Sequence, residues 1–595
     1  MRIAHRLLPL VFLSALPLGP RAMAAPALAT PEPAATPDRS LSGLILVGQH
    51  AFGASDDEGA ADALGAALKL APTLDELREQ AFVASLLAAR PDAEALAQSL
   101  PDNALAELLT AGARVRAGDW PGAVAAFRAL PPMREGSPQQ GFVTLLQPLL
   151  VAWAEAGAGN TDAALGMLRP LIEGGQGTAI FALHGALMAD IAGRNDEAGV
   201  MYRRASADFD GVNLRVAQIL ASWQARSGHP ADAERTLRAL RLSANELSIA
   251  IPAIAASIKT RPVANAADGI ADVYLALAAA VRGQESFDVS LALLRLALDL
   301  RPDFTAARLL MSQMQAASGH PEAALATLEP VRDTDPLYGA IALHRASLMA
   351  QSDKKDAAIQ LFEQVARAYP QSPLPYSQLG DLYEDTKRYP DAVTAYDKAV
   401  SRLAPVEGAA DTAADRPYWA LFYARGIAEE RSHHWPRAEA DFRLALKLSP
   451  DQPFVLNYLG YTWADRGVHL VEARAMLERA AQQEPNDGAI TDSLGWVLLR
   501  QGNTADAVRT LERATEMEPE DSSINGHLGD AYAAAGRLRE AGFQWQRALS
   551  LNPSPDDAAA LRRKLAEIEA AAPKPPSGSA STAGPHTDTP GIVAR

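Results

Sequence analysis

Small or apolar residues return every 34 positions through the middle of this chain. Counting from Ala271, Thr305, Gly339 and Pro373, internal position 8 holds Ala278, Ser312, Ala346 and Gly380. Position 20 holds Ser290, Ala324, Ala358 and Ala392, and position 27 holds Ala297, Val331, Val365 and Ala399. The last block adds Tyr376, Leu379, Tyr383, Tyr389 and Tyr396 at positions 4, 7, 11, 17 and 24. Apolar spacing of three and four residues within each block predicts two amphipathic helices, here termed A and B, joined by a turn. Such a pair cannot bury its apolar face alone and must stack on its neighbours. The pattern predicts an all-α solenoid of about 12–14 repeats, counting degenerate ones.

The period and the small-residue positions resemble the tetratricopeptide repeat (TPR), a right-handed superhelix of antiparallel helix pairs. On that register the regular array spans 271–553, with an insertion loop at 404–418 around Glu407-Gly408-Ala409. Pro450, Pro485, Pro519 and Pro553 each close a unit where a helix must stop. The 453 unit carries one extra residue after Gly467. Residues 41–240 read as divergent repeats beginning near 41, 75, 104, 145, 179 and 214. Gly118, Gly159, Gly193 and Gly228 fall at the turns between their A and B helices. Pro252 and Pro262 interrupt 241–270, which reads either as a hinge or as a degenerate repeat. Ser554, Pro555, Asp556 and Asp557 start a capping helix at 554–572, and the Pro- and Ser-rich 573–595 reads as a disordered tail.

Composition narrows the function. The chain has 595 residues, a net charge of −16 and no basic stripe, so nucleic acid is not an expected partner. With no cysteine there is no disulfide, thiolate metal site or lipid-modified N-terminal cysteine. Arg2 and Arg6, the apolar run Leu7–Leu18 and Ala22-Met23-Ala24 read as a cleaved signal peptide at 1–29. A linker follows at 30–40. The expectation is an exported, periplasmic protein with no transmembrane segment in its mature chain. HExxH, GxSxG and P-loop patterns are missing, no cofactor or metal is expected, and the chain reads as non-enzymatic.

The A helices of a TPR stack form its concave wall. In the last four repeats the inward positions place Tyr423 and Arg431, then Asn457, Tyr458, Tyr461 and Asp465. Asp492, Trp496 and Arg500 follow, then His527 and Asp530. These eleven are the candidate partner-binding residues, an aromatic and hydrogen-bonding concentration in an aromatic-poor chain. Glu430 and Phe454 share the same inward positions. Trp463, Leu477, Leu494 and Leu511 are assigned to the core.

The strings Leu456-Asn457-Tyr458-Leu459-Gly460-Tyr461, Asp492-Ser493-Leu494-Gly495-Trp496 and His527-Leu528-Gly529-Asp530 carry a narrower resemblance. They are similar to proteobacterial envelope TPR proteins. One type among these is an outer-membrane lipoprotein, the adaptor that brings substrates, cell-wall hydrolases included, to a carboxyl-terminal processing protease. The resemblance implies a scaffold holding envelope proteins or peptides in its concave groove, although this chain has no cysteine to lipidate. The alternative is a structural spacer in an outer-membrane assembly or polysaccharide export complex. Self-association into a homo-oligomer stays open. Asn457, Tyr461, Ser493 and Ala489 stand where chaperone-tail binders carry a carboxylate clamp, so chaperone tails are not expected.

Overall fold

The computed structural model describes residues 40–130, 140–174, 178–208, 213–243, 245–280, 287–403 and 418–571. The signal segment 1–29, the tail 573–595 and nearly all of 30–40 and 404–418 lie outside the described residues. Every regular element among the described residues is helical, and the fold is an all-α TPR repeat.

Helices come in A/B pairs. The first three pairs are α1 (Leu41–Gly53) with α2 (Asp57–Leu70), α3 (Asp75–Leu87) with α4 (Asp92–Gln98), and α5 (Ala104–Arg116) with α6 (Trp120–Arg128). Next come α7 (Gln140–Gly157) with α8 (Thr161–Glu173), α9 (Thr178–Ile191) with α10 (Asn195–Asp208), and α11 (Leu214–Arg226) with α12 (Pro230–Ser243). A 3₁₀ turn (Asn245–Ala250) and the short α13 (Ile251–Ala256) occupy the proline-interrupted stretch. The array continues with α14 (Ala266–Ala280) and α15 (Phe287–Leu300), α16 (Thr305–Ala317) and α17 (Pro321–Leu328), and α18 (Tyr338–Gln351) and α19 (Lys355–Ala368). Then come α20 (Leu374–Asp385) and α21 (Tyr389–Val400), α22 (Trp419–Arg431) and α23 (Trp435–Leu448), and α24 (Pro453–Arg466) and α25 (Leu470–Gln483). The last pairs are α26 (Gly488–Arg500) with α27 (Thr504–Met517) and α28 (Ser522–Ala534) with α29 (Leu538–Ser550), before α30 (Pro555–Ala571). Leu561 of α30 is buried against Trp545 of α29.

Close approach within each pair explains the small-residue rule. A Cβ on Gly380, at position 8, would lie 2.4 Å from the Tyr396 ring at position 24. Gly529 stands in the same relation to Trp545, also at 2.4 Å. The B helix thus sets a large side chain where the A helix has none, and the two backbones pack closely. The turns are left-handed at one residue: Gly118, Gly193, Gly502 and Gly536 have φ between 74° and 82°, while His433 and Lys387 take the same conformation at 64° and 59°. The extra residue of the 453 unit is absorbed in a turn with two left-handed residues, Gly467 and His469.

Contacts divide the chain into two compact units, and the division falls within α22. Tyr418–Gly426 belongs with the C-terminal unit, which continues from His434. Ile427–His433 belongs with the N-terminal unit.

Inside the N-terminal unit the chain returns on itself. α14 packs along α7 and reaches α9; α15 packs along α5 and reaches α3. All four are A helices, the inner wall of a repeat stack. The contact is dry: Trp153 of α7 and Ile270, Val273 and Tyr274 of α14 share one core and are each at most 1% exposed. A Cβ on Gly269 would lie 2.4 Å from the Trp153 indole, so this helix seats its backbone directly on the ring. Arg215 of α11 grips Asp272 of α14, with Nε 2.7 Å from Oδ1, and Asp272 is 3% exposed. Arg116 and Asp299 pair across 183 residues of sequence. The concave wall of these repeats is thus covered by the chain's own α14–α15 hairpin.

Candidate functional site

The C-terminal unit presents the same wall without such a hairpin on it among its described contacts. Its A helices α24, α26 and α28 pack side by side. Asp487 caps α26 by accepting the Ile490 N–H, and Asp521 caps α28 by accepting those of Ser523 and Ile524. Each cap satisfies free N–H groups of a first turn and fixes where the helix starts, hence which residues face inward.

Four predicted residues come together. The Trp496 and His527 rings stack at 4.3 Å with a 22° interplanar angle. Tyr461 lies 6.2 Å from the same imidazole. Asp492 accepts from His527 Nδ1, its two oxygens 2.8 and 3.0 Å away. Burial of His527 opposes its charge, but the Asp492 carboxylate, its hydrogen bond and Asp530 outweigh that and raise its pKa above the ordinary histidine value. Arg500 closes the upper edge: its Cζ lies 5.7 Å from the Trp496 ring, and its Nη1 donates to the Asp465 carbonyl at 2.9 Å. Asp465 and Arg500 are exposed, and Tyr461 and Trp496 are half-buried.

Two buried polar groups in this wall have no hydrogen-bond partner among the described residues. Trp496 Nε1 is buried and donates to nothing, and Asn457 Oδ1 is buried and accepts nothing, in a residue only 8% exposed. A buried donor or acceptor left unmatched costs about 1–3 kcal/mol.

The remaining predicted residues are placed differently. Tyr458 is a core residue, not a groove residue. It is 6% exposed and packs 5.1 Å from the Phe442 ring, with Tyr423 6.0 Å from both. Tyr423 is accordingly half inside this cluster. Asp530 is engaged, accepting from Trp545 Nε1 at 2.9 Å and from Lys564 Nζ at 2.7 Å. Arg431 falls in the other unit, where its Nε lies 3.7 Å from Glu430. Trp463, Leu477 and Leu511 are fully buried, whereas Leu494, also assigned to the core, is half-exposed. The sequence pattern of the end helix predicts that Arg562, Arg563 and Lys564 face water; Lys564 instead turns its ammonium onto Asp530.

An Asp–His pair is two-thirds of a hydrolytic triad, but the neighbouring Ser493 hydroxyl donates to the Ala489 carbonyl at 3.0 Å instead. Among the described residues no three His, Cys, Asp or Glu side chains converge for a metal ion, and no helix is long and apolar enough to cross a membrane.

Fold and site together define a class, a TPR solenoid with a polar–aromatic concave wall in its C-terminal unit. Comparison with known proteins agrees with that class. Tetratricopeptide repeat family profiles match residues 309–373 and 493–558, and a second such profile matches 375–402. The TPR repeat-containing protein PA4667 of Pseudomonas aeruginosa is 31% identical over 182 residues, 30% of this chain and 26% of its own. The chain thus spans about a quarter of that relative's length. The solved structure of the APC/C hetero-tetramer Cut9-Hcn1 aligns over 88% of this chain and 96% of its own, with 15% identity and a TM-score of 0.36. A tetratricopeptide repeat protein from Parabacteroides merdae aligns over 44% of this chain and 97% of its own, with 14% identity and a TM-score of 0.34.

Proposed function

We propose that this chain is an exported, non-enzymatic scaffold that holds envelope proteins on the concave wall of its C-terminal unit. The TPR repeats make it a protein-binding scaffold in general terms. The single observation that carries the narrower reading is the half-open Tyr461–Trp496–His527 cluster beside the exposed Asp465 and Arg500. Aromatic anchors beside polar groups supply energy and register to a bound chain.

Export rests on the charged and apolar N-terminal pattern. The adaptor role rests on the resemblance of 453–553 to the envelope proteins that serve a carboxyl-terminal processing protease. A scaffold that grips a protease and its substrate at once raises their effective concentration without chemistry of its own. Periplasmic proteins or peptides are the partners this reading names.

Crosslinked affinity purification from the native envelope tests it, with wild type beside the Tyr461→Ala/Trp496→Ala double variant. Recovery of a protease or wall hydrolase with wild type alone is the expected result. Equal recovery of one stoichiometric complex by both proteins would replace the adaptor with a structural spacer that binds through another face.

A further inference from the structure

The first and last repeats are finished differently. At the C-terminal end α30 buries Ala558 and Leu561 and leaves Arg562, Arg563, Glu567 and Glu569 exposed. A polar outer face of this kind closes a solenoid against further stacking. At the other end α1 leaves Leu46 66% and Val47 49% exposed, side by side on one helix.

α1 is in register with the later repeats. A Cβ on its Gly48 would lie 2.6 Å from Leu64 of α2, positions 8 and 24 of the unit, the relation Gly380 has to Tyr396. Val47 therefore stands at position 7. In later repeats that position holds Leu277, Met311, Leu379, Leu459 and Leu528, none more than 6% exposed. Leu528 shows what covers it: it shares a core with Val508 and Leu511 of α27, the B helix of the preceding repeat. α1 has the apolar residue and no described helix before it. The contact it lacks is apolar and made by a helix.

Two observations select the occupant. With 1–29 removed as proposed, the residues leading into α1 are Thr30-Pro31-Glu32-Pro33-Ala34-Ala35-Thr36-Pro37-Asp38-Arg39, which offer no large apolar side chain to Leu46 and Val47. The second observation is charge. Apart from the six-residue α13, α1 is the only described helix with no Asp, Glu, Lys or Arg. In a two-fold contact each residue near the axis meets its own copy, so a charge there would face itself. A helix without charge escapes that repulsion in a chain whose net charge is −16. Gly43, one turn before Val47 on the same face, is small enough for a second helix to come close.

We infer that two copies of this chain pair through α1, helix against helix about a two-fold axis beside Leu46 and Val47. This is independent of the proposed C-terminal wall, and it gives one particle two such walls. The 13 residues of α1 make a helix about 20 Å long, an interface at the small end for proteins, so pairing is expected in the micromolar range.

Sedimentation velocity of the exported chain over a concentration series tests this, with Leu46→Glu and Leu46→Lys beside wild type and circular dichroism confirming that each folds. Wild type should pass from monomer to dimer, and either charge should weaken pairing about tenfold or more. An equimolar mixture of Leu46→Glu and Leu46→Lys should pair again, because the axis sets the two side chains at 46 across from each other. The chain has no cysteine, so Leu46→Cys adds its only thiol. Mild oxidation should link that variant into a dimer and leave Val200→Cys, 61% exposed on α10, unlinked. A wild type that stays monomeric, a dimer indifferent to charge at 46, or a mixture that does not pair again would overturn the inference. Monomers that bind vesicles of phosphatidylethanolamine and phosphatidylglycerol only with Leu46 intact would overturn it in favour of a lipid surface.

Discussion

The two units use one inner-wall motif in opposite ways. In the N-terminal unit the Trp153–His184 pair is sealed beneath α14, and α9 is buried without a break from Phe181 to Asp190. In the C-terminal unit α26, the counterpart of α7, keeps Trp496 half-open and Arg500 exposed. Burial and charge follow. His184 is desolvated, with Arg215 also disfavouring its charge, and despite the raising influence of Asp272 its pKa falls to about 4. His527 has a carboxylate in contact, and its pKa is raised. The difference teaches that a repeat's inner wall is not a partner site by virtue of fold alone. On the proposed function it becomes one where the chain does not supply its own occupant.

That comparison can be broken at its strongest point, the Arg215–Asp272 pair. Asp272→Ala leaves a guanidinium half-sealed against the wall, and a broken buried pair of this kind costs about 3–5 kcal/mol. Chemical denaturation should show that loss, with α14 amides exchanging faster; a change below about 1 kcal/mol would mean that the hairpin is not held as described.

Gly269→Leu attacks the same contact through volume. It should cost about 1–3 kcal/mol by overpacking against Trp153 and leave Trp496-dependent partner recovery unchanged. Loss of partner recovery with an intact C-terminal unit would join two regions that this account keeps separate.

A third substitution sharpens the pH side. Burial of Glu384, then its neighbour Asp381, pushes its pKa up to about 7, while the Tyr396 hydroxyl acts in the opposite direction. Burial likewise pushes Asp381 up to about 6. Raised carboxyl values mean that the stability they contribute is present below about pH 4.5 and lost as pH rises through about 7. Glu384→Gln should therefore stabilise the N-terminal unit by about 1–2 kcal/mol at pH 8 and by little at pH 4. Equal melting temperatures at pH 8 would show that the carboxyl is charged without penalty.

In that background the smallest effect becomes readable. His184 has a lowered value, so its stability is present above about pH 6.5 and lost as pH falls toward 4. His527 has a raised one, so its stability is present below 6.5 and lost as pH climbs through the folded value. After correction for intrinsic exchange, amide protection in α9 and α14 should rise with pH while that in α26 and α28 falls. Parallel trends in both would contradict the contrast between the two histidines.

Much of the scaffold was legible in the sequence. The 34-residue period placed helix starts at 305, 419, 453, 488 and 522, because position 8 must be small wherever position 24 is large. The groove was legible in part. Tyr461, Asp492, Trp496 and His527 converge, but Tyr458 went into the core, since Phe442 on α23 offers it a larger apolar contact than the open wall does. The α14–α15 return was not legible. Its helices keep the small-residue spacing of a repeat, and that spacing does not reveal that their second face packs on helices several repeats earlier. The trace that was present is local: Ile270 to Leu275 is buried on every side, the mark of a helix with no solvent face.

Photocrosslinking in the native envelope tests the central claim most directly, with p-benzoylphenylalanine placed at 153 in one variant and at 496 in another. The account predicts an internal crosslink from 153 to the 266–280 segment and an adduct to a separate protein from 496. A partner adduct at 153, or only internal crosslinks at 496, would contradict it.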